Sequence, residues 1–108
     1  MTRLLTKVAV VATFAALAFA ATALANTLHY GDAHRLAVRL AVKQTHVKNH
    51  PVDRWHISGA TRSGPHQIAW VYTVDYSDGT LCDGELVVRL SHSTGVGRAF
   101  FRDVHCEH

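Results

Sequence analysis

Two cysteines and nine histidines carry most of the reactive chemistry available to this 108-residue chain. Cys82 and Cys106 lack the Cys-x-x-Cys spacing of a redox-active pair, so a structural disulfide is their expected use in an oxidising compartment. His46 and His50 are four positions apart, and His105, Cys106, Glu107 and His108 form a run of ligand-type side chains. His46, His50, His105 and His108 are therefore the candidate metal ligands. Zinc requires three or four ligands in fixed geometry. Pro51 interrupts the helical turn that would align the first pair, a disulfide would remove the Cys106 thiolate, and neighbours on a strand point to opposite faces. Solvent-facing polar residues are the plainer reading, and no cofactor is called for.

Catalytic patterns are weaker still. Ser58, Ser63, Ser77, Ser91 and Ser93 sit at strand ends or in turns, where hydroxyls satisfy nearby backbone groups. None has a nucleophile-elbow context. Asp53 and His56 are close in sequence, but a triad is defined by geometry. Asp78, Asp83 and Glu85 do not match an EF-hand loop. The expectation is a protein that is not an enzyme.

The elements that position these residues follow from hydrophobic periodicity. Asp32 is placed to cap a helix whose apolar face is Ala33, Leu36, Ala37, Leu40, Ala41 and Val47. Arg35, Arg39 and Lys43 line its wet side, and Asn49-His50-Pro51 ends it. Beyond Pro51 the period becomes two. A short strand spans Arg54–Ser58, a turn-rich connection covers Thr61–His66, and Ile68, Trp70, Tyr72, Val74 and Tyr76 share one face of a long strand. Asp78-Gly79 is a hairpin signal. A third strand runs over Leu81–Leu90 and a fourth over Val96–Cys106, joined by a turn centred on Thr94.

That centring sets opposed residue numbers summing to about 188. It pairs Cys82 with Cys106, Val88 with Phe100 and Leu86 with Arg102. The pattern predicts an α+β domain, one helix packed on a four-stranded antiparallel meander. Phe100 would share the inner face with Val104 and Cys106. Phe101 would then lie outside beside Ala69 and Val71, and these three are the candidate contact surface.

The first 25 residues read as a cleaved signal peptide. Arg3 and Lys7 precede an apolar run from Val8 to Ala20, and Ala23-Leu24-Ala25 provides a small-x-small site before Asn26. The run is shorter than the ~20 residues of a stable span, so no membrane anchor is expected after cleavage. Residues 26–108 form the single expected domain, secreted or held in the cell envelope. Loss of Arg3 and Lys7 leaves 9 basic residues against 8 acidic ones, a formal charge of +1. No basic cluster remains to neutralise a run of phosphates, which excludes nucleic acid as the expected partner. Imidazole ordinarily titrates near pH ~6.5, so mild acid would make the domain strongly cationic.

The order of one helix before an antiparallel meander resembles the cystatin-like architecture. The inhibitory Gln-x-Val-x-Gly hairpin and Pro-Trp loop of cystatins are both missing: Asp78-Gly79 and Ser93-Thr94-Gly95 occupy the turns, and neither Trp55 nor Trp70 follows proline. Trp55-x-x-x-Gly59, Asp78-Gly79-Thr80-x-Cys82 and the late Cys106 also resemble small exported proteins of GC-rich bacteria that have no assigned activity. That resemblance implies no site residues. The expected function is a non-catalytic protein-interaction or inhibitory module, monomeric or weakly dimeric. A histidine-rich metal-binding or pH-responsive envelope protein is the first alternative, and a small secreted hydrolase the second.

Overall fold

The computed structural model describes residues 16–20, 27–91 and 95–108. The expected cleavage site at Ala23–Ala25 and the Thr94 turn centre lie outside the described residues. The elements in chain order are β1 (Leu17–Ala20), α1 (Tyr30–Gln44), β2 (Val52–Arg62), β3 (Gln67–Tyr76), β4 (Leu81–Leu90) and β5 (Val96–Glu107). The strands form one antiparallel sheet in the order β1-β5-β4-β3-β2. The expected helix on a four-stranded meander is present as α1 on β2 to β5. β1 is an additional edge strand, drawn from the apolar run Val8–Ala20.

α1 buries Ala33, Leu36, Ala37, Leu40 and Ala41, the stripe that the 3.6-residue period marks. Burying each leucine is worth roughly 2 kcal/mol. Both helix ends differ from expectation. The N-cap is His29, which makes no side-chain cap bond, and Asp32 lies inside the first turn. There its carboxylate suits the positive end of the helix dipole and pairs with Arg35 at 3.2 Å. At the other end Thr45, His46 and Val47 donate to carbonyls three residues back. This tightening stops the helix at Gln44, before Val47.

β2 is longer than the sequence pattern indicates, because two irregularities lie within it, at Val52–Arg54 and Ser58–Thr61. Gly59, with φ 65°, takes the left-handed conformation that the second one needs. The alternation resumes beyond it, and Thr61 and Arg62 pair with Ala69 and Ile68 rather than forming a loop.

The inner face of the sheet supplies Ile68, Trp70, Tyr72, Val74, Tyr76, Leu86, Val88 and Leu90 to the core beneath α1. Cys82 and Cys106 are bonded, with S–S 2.05 Å, closing a loop over 24 positions. Such a closure is worth about 3 kcal/mol by chain entropy. It pins the far end of β5 to β4, where Val104 and Cys106 pack against the core.

Candidate functional site

The face of the sheet opposite α1 carries the candidate contact surface. β3 presents Ala69 and Val71 there, β4 presents Glu85, Val87 and Arg89, and β5 presents Arg98, Phe100 and Arg102. The cross-strand pairs are Ala69–Val87, Val71–Glu85, Val87–Phe100, Arg89–Arg98 and Glu85–Arg102. Val71 is 52% exposed, whereas Ala69, expected on the contact surface, is buried between its neighbours, as is Val87. Its neighbour on β2 is the Gly59 irregularity, where even a methyl group would only just touch it, at 4.0 Å from Val71 Cγ2.

Phe101 does not belong to this surface. It packs on the inner face with its ring centroid 4.7 Å from that of Tyr72. The aromatic on the outer face is Phe100. The cause is an extra residue in β5 at Asp103, whose φ is 54°. From Val96 to Arg102 the register with β4 sums to 187, and beyond Asp103 it sums to 188. The disulfide pairing survives, whereas Val88 faces Ala99 and Leu86 faces Phe101. A one-residue slip turns every side chain to the other face, so Phe100 and Phe101 exchange their expected places.

Charge frames this apolar strip. The Arg89 guanidinium lies 5.2 Å from the Phe100 centroid, and its Nε donates to Gln67 Oε1 at 2.8 Å. Arg102 is neutralised by Glu85 at 2.7 Å. Arg89 and Arg98 are directly opposed and both exposed, a like-charge pair that the fold alone disfavours.

The candidate ligands His46 and His105 lie on separate elements, one just beyond α1 and the other near the end of β5. His46 is exposed with Nδ1 3.0 Å from the Val42 carbonyl, and His105 lies 3.3 Å from Glu107. His50 is elsewhere, at the β3–β4 turn. Asn49 turns the chain with φ 64°, and Ser77 N–H donates to the Pro51 carbonyl at 2.9 Å. This lays the His50 imidazole flat on Tyr76, with centroids 3.6 Å apart and planes 5° apart. His50 Nε2 then stands 3.8 Å from Asp78 Oδ2.

Hydrogen bonds from Thr80 hold the Asp78 carboxyl below its ordinary range, with smaller contributions from His50 and His108. Asp78 is thus approached by one of the four candidate ligands, His50, a neighbour that the Asp-Gly turn signal does not announce. His46 and His105 are not brought to it. Among the described residues no group of three or more His, Cys, Asp or Glu side chains is placed to hold a metal ion.

Beneath α1, burial pushes the Tyr72 phenol strongly upward, reinforced by Tyr76. Burial likewise raises Tyr76, opposed by the polar Gln44 side chain beside it. These phenols face the packed core. Two shallow hollows, of about 170 and 140 Å³, lie along Asp32, Arg35, Leu36 and Arg39 and beside Trp55, Thr73 and Leu81.

Comparison with known proteins finds no matching family model, no matching curated protein and no matching solved structure.

Proposed function

We propose that this chain is an exported, disulfide-stapled domain that acts as a non-catalytic protein-interaction or inhibitory module. A cystatin-like arrangement of helix on meander fits the observed order of elements. The observation that carries the reading is the outer sheet face. Val71, half exposed, and Phe100, partly exposed, are its accessible apolar side chains beside the buried Ala69 and Val87, with the opposed Arg89 and Arg98 at their border. An acidic rim on a partner would relieve that like-charge pair while its apolar centre covers Val71.

The test is site-specific photo-crosslinking in protein exported by its own leader, with the crosslinker at Val71 and, as control, at exposed Arg39 on α1. A single stoichiometric adduct from Val71 alone, lost in a Phe100→Ala background, is expected. Equal or absent adducts at both positions would overturn the outer face as the contact.

The approach of His50 Nε2 to Asp78 Oδ2, at 3.8 Å, is the observation behind a second reading, a metal-binding or pH-responsive envelope protein. Native mass spectrometry with added zinc addresses it. Stoichiometric zinc that disappears in Asp78→Asn supports this reading, and indifference to zinc removes its metal-binding form.

A further inference from the structure

The register of β1 against β5 pairs each large residue with a small one. Leu17 faces Ala99 and Phe19 faces Gly97, while Ala18 faces Arg98 and Ala20 faces Val96. The Ser91 N–H donates to the Val96 carbonyl at 2.8 Å, so Val96 directs its backbone groups toward β4. Alternation along an antiparallel ladder then turns the N–H and C=O groups of Gly97 and Ala99 the other way, toward β1. Gly97 and Ala99 are both buried, Ala99 completely.

β1 belongs to the leader expected to leave at Ala25. Cleavage there takes away the strand that pairs Gly97 and Ala99, and four backbone groups lose their partners. Proteins guard such edges with charges, prolines, bulges or covering segments. The far half of β5 has the Asp103 bulge. The near half has Gly97 with no side chain and Ala99 with a methyl group.

We propose that Val96–Ala99 of the mature protein is a strand-acceptor site, and that the leader segment Leu17–Ala20 fills it in the precursor. Its mature occupant is an extended apolar segment of a partner protein, bound antiparallel. That segment has large residues opposite Gly97 and Ala99 and small residues opposite Val96 and Arg98. Main-chain hydrogen bonds supply the affinity, and the large–small alternation supplies the selectivity. A second copy fits less well, because pairing Val96–Ala99 with itself brings two Arg98 side chains together. This deepens the interaction reading by naming a surface and the chemistry of what it takes.

The experiment uses protein exported by its own leader, beside an Ala23→Leu/Ala25→Leu variant that keeps the leader. The probe is a synthetic peptide spanning residues 16–22 with a solubilising lysine tail. Amide exchange at Gly97 and Ala99 is expected to be slow in the leader-bearing variant, fast in the cleaved protein and slow again when the peptide is added. N-methylation of the peptide at Leu17 and Phe19 deletes the two bonds aimed at β5 and is expected to weaken binding about 30-fold. The same change at Ala18 and Ala20 faces away and is expected to leave binding unchanged. As a protein-side check, Ala99→Pro removes only an outward N–H, which an edge strand tolerates, and is expected to abolish peptide binding while the disulfide and helix signal persist.

Protected Gly97 and Ala99 amides in cleaved, monomeric protein would overturn the proposal. So would a leader that is never removed, or equal effects of the two N-methylation patterns. A concentration-dependent dimer that protects these amides would replace the partner segment with a second copy. Peptide failure alongside a Val71 crosslink would reject the edge site and leave the outer-face reading standing. Peptide binding without a Val71 crosslink would do the reverse.

Discussion

Cys82 faces Cys106 across β4 and β5, yet Leu86, four residues further along β4, faces Phe101 and not Arg102. The two pairings are reconciled by one extra residue at Asp103, opposite Gly84. A Cβ at Gly84 would lie 2.9 Å from Val104 Cα and 3.1 Å from the Arg102 carbonyl oxygen. The bulge presses backbone against this position, so a side chain cannot be accommodated by turning a rotamer.

Gly84→Ala is accordingly expected to destabilise the protein by about 2 kcal/mol, the scale of core overpacking. Gly31→Ala, in open space within α1, is expected to stabilise by ~0.5 kcal/mol. Urea unfolding of the two variants checks this. Similar midpoints would show that the bulge does not crowd Gly84.

The exchange of the two phenylalanines has its own signature. Phe101→Ala is expected to lose about 3 kcal/mol, because the ring packs on Tyr72 against the core. Phe100→Ala is expected to lose about 1 kcal/mol, because its ring lies on the open face beneath Arg89. The reverse order of unfolding midpoints would restore Phe101 to the outer surface.

Tyr72 is completely buried, and its hydroxyl has no hydrogen-bond partner among the described residues. Removing an unpaired buried hydroxyl while keeping the ring relieves a desolvation cost. Tyr72→Phe is therefore expected to raise stability by about 1 kcal/mol, read as a higher melting temperature. A loss of stability would reveal a partner for that hydroxyl.

Asp78 titrates below its ordinary range in the folded chain, chiefly through Thr80, whose N–H donates to Oδ1 at 2.9 Å. A carboxyl depressed by folding contributes stability above its unfolded pKa and loses it as pH falls through the folded value. The advantage of the wild type over Asp78→Asn is thus expected at neutral pH, begins to shrink near pH ~4 and vanishes only below the lower folded value. Denaturant unfolding at several pH values measures it. A gap that is constant with pH would assign the effect of Asp78 to shape rather than charge.

Much of the fold is legible in local patterns. The spacing of Leu36 and Leu40 specifies a core-facing helix, and the alternation from Ile68 to Tyr76 specifies a strand buried on one face. Asp78-Gly79 specifies the turn that follows. Each pattern depends on residues within a few positions of one another, whose periodicity is the periodicity of the element itself. The Cys82–Cys106 bridge is legible from the two cysteines and an expected oxidising compartment, but its register is reached only through the extra residue at Asp103, since the pairing nearer the turn would set Cys82 opposite His105.

What the tertiary structure decided lies where one local choice is overruled by its neighbours. Asp103 and Gly59 insert extra residues only because the twisting sheet accommodates them, and nothing in their flanking sequence announces a slip. Those insertions turn Phe101 inward, bring Phe100 outward and extend β2 to Arg62. Asp78 becomes the neighbour of His50 only when the chain around Pro51 is tied to Ser77. The Leu-Ala-Phe-Ala segment reads as part of an apolar leader by composition, and its large–small match to Val96–Ala99 emerges only once β5 is laid at the sheet edge. Composition and period determine which residues are buried; register, set by backbone bonds between distant segments, determines which of them meet.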